Sequence, residues 1–172
     1  MANRDNPNGF SPWGRTLQGG ELELRPYTKL ATYATAIYPG DVVNQVASGD
    51  LERSITPSTT LIVGVALDYG AASTATDHMI ADQPDMIFVA QTNDDTITVA
   101  DKGSKADVVL GTGSLALKRS RDEIAGATVL TTGTLDLILL RLARIQGNAD
   151  GEFARWEVVI NKHLLNKGAT GI

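Results

Sequence analysis

The chain has 172 residues, no cysteine, and 20 acidic against 15 basic residues, for a formal net charge of −5. The missing thiols exclude disulfides, thiolate metal sites and cysteine nucleophiles, and the acidic balance opposes a phosphate-neutralising surface, so no nucleic-acid partner is expected. No apolar run reaches the roughly 18 residues of a membrane helix, and no membrane partner is expected either.

Residues 1–20, MANRDNPNGFSPWGRTLQGG, have neither helical nor strand period and hold three Asn, two Pro and four Gly. The first twelve lack the apolar core of a signal peptide. This stretch reads as an extended N-terminal arm with Phe10, Trp13 and Leu17 as isolated apolar anchors. Fixing about twenty residues costs on the order of 1–2 kcal/mol each, and burying three such side chains returns roughly 1.5–3 kcal/mol apiece. The arm is therefore expected to be mobile or held by a surface, its own domain's or a neighbour's, with Phe10 and Trp13 as the anchors.

A β-rich domain is expected over 21–163. Leu22 and Leu24 alternate with Glu21, Glu23 and Arg25, and Pro39-Gly40-Asp41 is a turn feeding a strand at Val42-Val43. Residues 61–69, LIVGVALDY, form an apolar run broken only by Gly64 and fenced by Pro57, Ser58, Thr59 and Thr60. Such a run reads as a strand covered on both faces, and 85–91, DMIFVAQ, as its return partner. Asn93-Asp94 then turns the chain into Thr96 to Val99, a predicted hairpin. Further strands are expected at 106–110, after the Gly103-Ser104 turn, and at 127–130. Strands of about five residues with turns every ten or so predict an all-β fold, a small barrel or sandwich.

The C-terminal third is less uniform. Leu135, Ile138, Leu139, Leu142 and Ile145 fall at helical spacing, yet they follow a strand and the Thr132-Gly133 turn, and a buried strand is favoured over a helix for 135–144. Residues 153–161, with Trp156, Val158 and Ile160 on one face, read as a final strand. A polar tail, 164–172, is expected to fray.

Charge is uneven: 68–107 carries eight Asp and no Glu against Lys102 and Lys105, while 118–167 carries eight basic and six acidic residues. Aspartates in turns bond their local backbone, which accounts for Asn93-Asp94-Asp95. Little of the sequence looks like chemistry. Gly111-x-Gly113 lacks the third glycine of a dinucleotide fingerprint. Asp77-His78 with Asp82 can be drawn as an acid–base set, but it lies in a Thr- and Asp-rich connection, 71–84, where a solvated loop histidine is the expectation. Ser120-Arg121-Asp122-Glu123 fits a capping box and predicts a helical turn. No cofactor, metal or enzymatic activity is expected.

Taken in order, MANRDNPNGFSPWG, IYPGDVV, LIVGVALDYGAAS, DMIFVAQ and ARWEVVINKH resemble the cement, or decoration, proteins of tailed-bacteriophage capsids over nearly the whole chain. The resemblance implies a small β-rich domain with a reaching arm, bound outside the shell of a major capsid protein in the virion, commonly as a trimer, and stapling neighbouring capsomers. Arg4, Phe10, Pro12 and Trp13 of the arm, with Trp156 of the closing strand, are the partner contacts expected on this reading. Aliphatic side chains within 135–142 also suggest more apolar surface than one small domain hides, hence a homo-oligomer. The competing class is a trimeric β-barrel that binds or processes a small ligand or nucleotide.

Overall fold

The computed structural model describes residues 3–54 and 61–166. The chain forms β1 (Ser11–Thr16), β2 (Leu24–Lys29), β3 (Val42–Gln45), β4 (Leu51–Arg53), β5 (Ile62–Ala66) and β6 (Thr76–Ala81). It continues with β7 (Met86–Gln91), β8 (Lys105–Val109), β9 (Glu123–Leu130), β10 (Leu137–Leu142) and β11 (Arg155–Ile160). Val99–Asp101 is a single 3-10 turn, and no α-helix occurs among the described residues. The strands make a six-stranded sheet in the order β1-β7-β11-β10-β8-β9 and a five-stranded sheet in the order β2-β6-β5-β3-β4. All pairings between these strands are antiparallel and neither sheet closes on itself, so the all-β expectation holds in its sandwich form, not as a barrel.

The apolar run at 61–69 does contain the central strand of its sheet, and every residue of β5 and of β7 is buried. They are not partners, however. β5 pairs with β3 and β6, whereas β7 pairs with β1 and β11 in the other sheet. Two apolar runs of this kind face each other across a core as readily as they pair edge to edge, because burial on both faces is all that either records.

Ile62 and Val65 join the core between the sheets with Phe88, Leu137, Leu139, Trp156 and Val158. Val63 and Ala66 join a second cluster on the outer face of the five-stranded sheet, with Ile37, Val43, Leu51 and Ile80. That spacing breaks strict alternation, and the register shift where β5 meets β3 permits it. Gly64 sits at the tightest point: a Cβ there would lie 2.2 Å from the carbonyl oxygen of Ala81, so β6 closes on β5 only because position 64 has no side chain.

Several expectations are corrected. Residues 96–99 form no hairpin with β7; Ile97 makes an isolated bridge to Gly151, and the 3-10 turn follows. The connection expected at 71–84 contains β6, because His78 and Ile80 alternate with exposed Asp77 and Met79. The capping-box residues start no helix and lead into β9; Ser120 and Asp122 are fully buried. The run 135–144 is a strand, as favoured; Leu137 and Leu139 are completely buried, while Ile138, Leu140 and Leu142 of the same strand stay half-buried and keep some apolar surface in reach of solvent. The tail does not fray at its start: His163 is buried, and the Leu164 amide donates to the Ile62 carbonyl at 2.7 Å. Pro57 to Thr60 and the tail beyond Asn166 lie outside the described residues.

Candidate partner-docking site

The N-terminal stretch is extended, as expected, but its own domain holds it. Gly9, at φ +67°, packs so closely on the Pro39-Gly40 turn that a Cβ would come 2.5 Å from the Gly40 carbonyl oxygen. The next amide, Phe10 N–H, donates to that oxygen at 2.9 Å. Phe10 is thereby delivered into the central core at 1% exposure. Ser11–Thr16 then pairs with β7 as an edge strand, with a register shift between Pro12 and Thr16. Glu157, nearly buried, accepts hydrogen bonds from Arg15 Nη2 at 3.3 Å and Arg141 Nε at 2.9 Å, a charge-assisted staple across β1, β11 and β10. The ladder hydrogen bonds that β1 gains on β7, together with the burial of Phe10, offset the backbone entropy lost on ordering this stretch.

Above Phe10 the surface opens into two adjoining concavities of about 250 and 260 Å³ that share Asn6, Ile145 and Arg155. Pro12, Trp13 and Gln91 wall the first; Arg4, Asn148 and Phe153 wall the second. The frame is braced by side-chain amides. Asn3 Nδ2 donates to the carbonyls of Ala149 and Glu152 at 2.8 and 2.9 Å, and its Oδ1 accepts from the Ala149 amide. Asn148 clamps the backbone of Ala143 and Arg155 with three bonds of 2.8 Å. Gln91 accepts from the Asn6 amide at 3.2 Å, and Arg119 donates to Asn6 Oδ1 at 2.9 Å. Arg4 and Arg155 make no side-chain hydrogen bond or ion pair among the described residues, and Trp13 stands 39% exposed. A rigid cleft with an aromatic plate and two unengaged guanidiniums suits a partner surface better than bond-making chemistry.

Three of the five expected contacts therefore meet at this cleft: Arg4, Pro12 and Trp13. The other two are corrected. Phe10 and Trp156 are 1% and 0% exposed and belong to the core, where neither can touch a partner. Sequence reasoning missed Arg155, Phe153, Asn148 and Gln91, which fold in from β11, β7 and the 145–153 loop. The only hint was the asparagine-rich 3–8 stretch, whose amides needed backbone partners somewhere.

Two carboxylate clusters support this end of the molecule. Glu123, at the start of β9, accepts from Gln91 Nε2, which also donates to Asp5 Oδ1, both at 3.4 Å. Burial, then the nearby charge of Asp5, pushes the Glu123 carboxyl up to about 7. Behind it, Arg53 lies between Asp41 and Asp122, both fully buried, with an ion pair to each and a 2.5 Å bond to the Gly111 carbonyl. Burial raises the pKa of both acids, against the pull of Arg53.

The drawn acid–base set is dispersed. Asp77 bonds Thr28, Asp82 bonds Tyr27 and Arg25, and His78, fully buried, pairs through Nδ1 with Asp68 instead. Among the described residues no group of three or more His, Cys, Asp or Glu side chains is placed to hold a metal ion. Compared with protein-family models, with curated proteins and with solved structures, the chain finds no match.

Proposed function

We propose that the chain is a structural cement protein of a tailed-phage virion, one that docks on the outer surface of the major capsid protein shell and ties neighbouring capsomers together, itself self-associating as a trimer. The observation that carries this reading is the cleft: Trp13 is exposed, and Arg4 and Arg155 make no side-chain hydrogen bond or ion pair among the described residues while Asn3 and Asn148 spend their amides on the surrounding backbone, which leaves the binding capacity of the two guanidiniums for something outside the chain. An aromatic plate flanked by guanidiniums is the composition of an interface hot spot. It also fits a lattice partner, because a contact of modest strength repeated over many copies is multiplied by avidity.

Deleting the whole N-terminal stretch would remove Phe10 from the core and so test folding, not docking. The discriminating variants are Trp13→Ala and Arg155→Ala, compared with the intact chain by co-sedimentation with undecorated capsids and by the heat resistance of the resulting particles. The Trp13 change should weaken attachment by about 2 kcal/mol, roughly thirtyfold. Undiminished binding by both variants overturns the cleft as the docking site, and no binding by the intact chain overturns the cement reading.

A further inference from the structure

The loop that joins β8 to β9 carries its apolar residues outward. Ser114 and Arg119 exchange backbone hydrogen bonds at 2.9 and 3.3 Å, Lys118 takes a positive φ of 49°, and the tip between them presents Leu115 and Leu117, each 59% exposed. This is not a slack loop. Its base is held by the Asp41–Arg53–Asp122 ion network through Gly111, by the Ser120 amide on the Pro39 carbonyl at 3.0 Å, and by the Lys118 ammonium 3.6 Å from the centre of the Tyr69 ring. Two leucines raised on a rigid base form an apolar knob, and the 115–121 stretch that bears them has three bases, Lys118, Arg119 and Arg121, and no acid.

A complementary feature lies at the other end of the six-stranded sheet. A groove of about 470 Å³ runs over its outer face between Leu17, Ile138 and Val159, the last two directly paired across β10 and β11. Leu17 is 55% exposed and is tied to one wall by its amide on the Asp85 carbonyl at 2.8 Å. Among the described residues the groove lining carries one carboxylate, Asp85, and no base. The two features stand at different ends of β7 and β11: Thr16, Met86, Ile160 and Leu137 align at the groove end, whereas the base of the knob reaches Gln91, which pairs with Arg155, through Arg119 on Asn6 Oδ1 at 2.9 Å and the Asn6 amide on Gln91 Oε1 at 3.2 Å. Strands of five to six residues set the ends roughly 17–20 Å apart.

We infer that the knob of one copy seats in the groove of a second copy, with Leu115 and Leu117 against Leu17, Ile138 and Val159 and with Arg121 facing Asp85. The knob cannot reach its own groove, and the two surfaces are different, so the contact is heterologous and closes a ring where the rotation allows. Apolar complementarity supplies the attraction, and the basic knob against an acidic groove sets the orientation. This inference rests on the self-association reading above and assigns that reading a surface distinct from the capsid-docking cleft.

Light scattering and sedimentation velocity over a concentration series test it, using the intact chain, a knob variant (Leu115→Asp with Leu117→Asp) and a groove variant (Leu17→Asp). The intact chain should form oligomers. Each variant should stay monomeric over a range at least tenfold beyond the intact chain's midpoint, and an equimolar mixture of the two should recover a dimer, since one knob and one groove remain intact. Circular dichroism confirms folding, and if Leu17→Asp does not fold, Asp85→Arg takes its place as the groove variant. Oligomers formed by either variant as readily as by the intact chain overturn this contact while leaving self-association standing. Variants that are monomeric but recover no dimer on mixing overturn its head-to-tail character. An intact chain that is monomeric throughout overturns both self-association and this contact.

Discussion

The two ends of the six-stranded sheet differ in what they present to solvent. At the end that holds the cleft and the knob, position is fixed by directional contacts: hydrogen-bonded asparagines, the buried Arg53 between Asp41 and Asp122, and Phe10 locked under the Gly40 carbonyl. At the groove end Leu17, Ile138 and Val159 make an apolar surface, and the hydrogen bonds beside it, Asn161 Nδ2 on the Leu135 carbonyl at 2.7 Å and the Leu17 amide on the Asp85 carbonyl at 2.8 Å, are spent within the chain. Hydrogen bonds and buried ion pairs define a geometry because they fail when misaligned, whereas apolar surface is non-directional and rewards area alone. The difference separates residues that shape the molecule from residues that remain free to meet a partner.

Phe10→Ala breaks the comparison most severely. It empties a core site within a strand-bearing stretch and should cost about 3–5 kcal/mol in urea unfolding, while Trp13→Ala, three residues away and partly exposed, should leave the midpoint within about 0.5 kcal/mol. Equal effects from the two would mean that the N-terminal stretch is not part of the core. Next in size is Arg53→Met, which strands two buried carboxylates. The loss should be about 3 kcal/mol near pH 8 and smaller near pH 5, where Asp41 and Asp122, whose pKa values burial already raises, can take up protons. A loss independent of pH would remove the ion network from its place as the base of the knob.

Glu123→Gln sharpens the comparison with the smallest effect. In the folded chain the Glu123 carboxyl is raised from 4.5 to about 7. Its stabilising contribution is therefore complete below about pH 4.5 and is lost as pH rises through 7, where ionisation sets Glu123 against Asp5. The neutral amide escapes that loss, so the variant should melt with the intact chain near pH 4.5 and exceed it by about 1 kcal/mol at pH 8, allowing for its partial exposure to solvent. His163 works in the opposite sense: burial lowers it to about 4, so its contribution is complete above 6.5 and lost as pH falls toward 4. A higher melting temperature for the variant at pH 4.5 than at pH 8, each relative to the intact chain, would contradict the assigned charge of Glu123.

What the sequence by itself determined is local. The run at 61–69, the strands of 85–91, 106–110 and 153–161, and the Pro39-Gly40 and Gly103-Ser104 turns are legible because alternation, β-branched content and turn chemistry act within a few residues. The choice of strand over helix at 135–144 followed from the same neighbours. Only the tertiary structure decided which strands pair, because a doubly buried strand such as β5 or β7 records that it is covered and not by what. It also decided that Phe10 is core and Trp13 is surface, since Gly9 on the Gly40 turn sets the path of the chain. The burial of Asp122 and His78 was equally hidden: a charged or titratable residue in a polar stretch looks solvated until a distant Arg53 or Asp68 arrives to satisfy it. The cleft joins residues 4 to 13 with Gln91, Asn148 and Arg155, and no spacing along the chain encodes that meeting, because each contact is settled by sheet register between segments scores of residues apart.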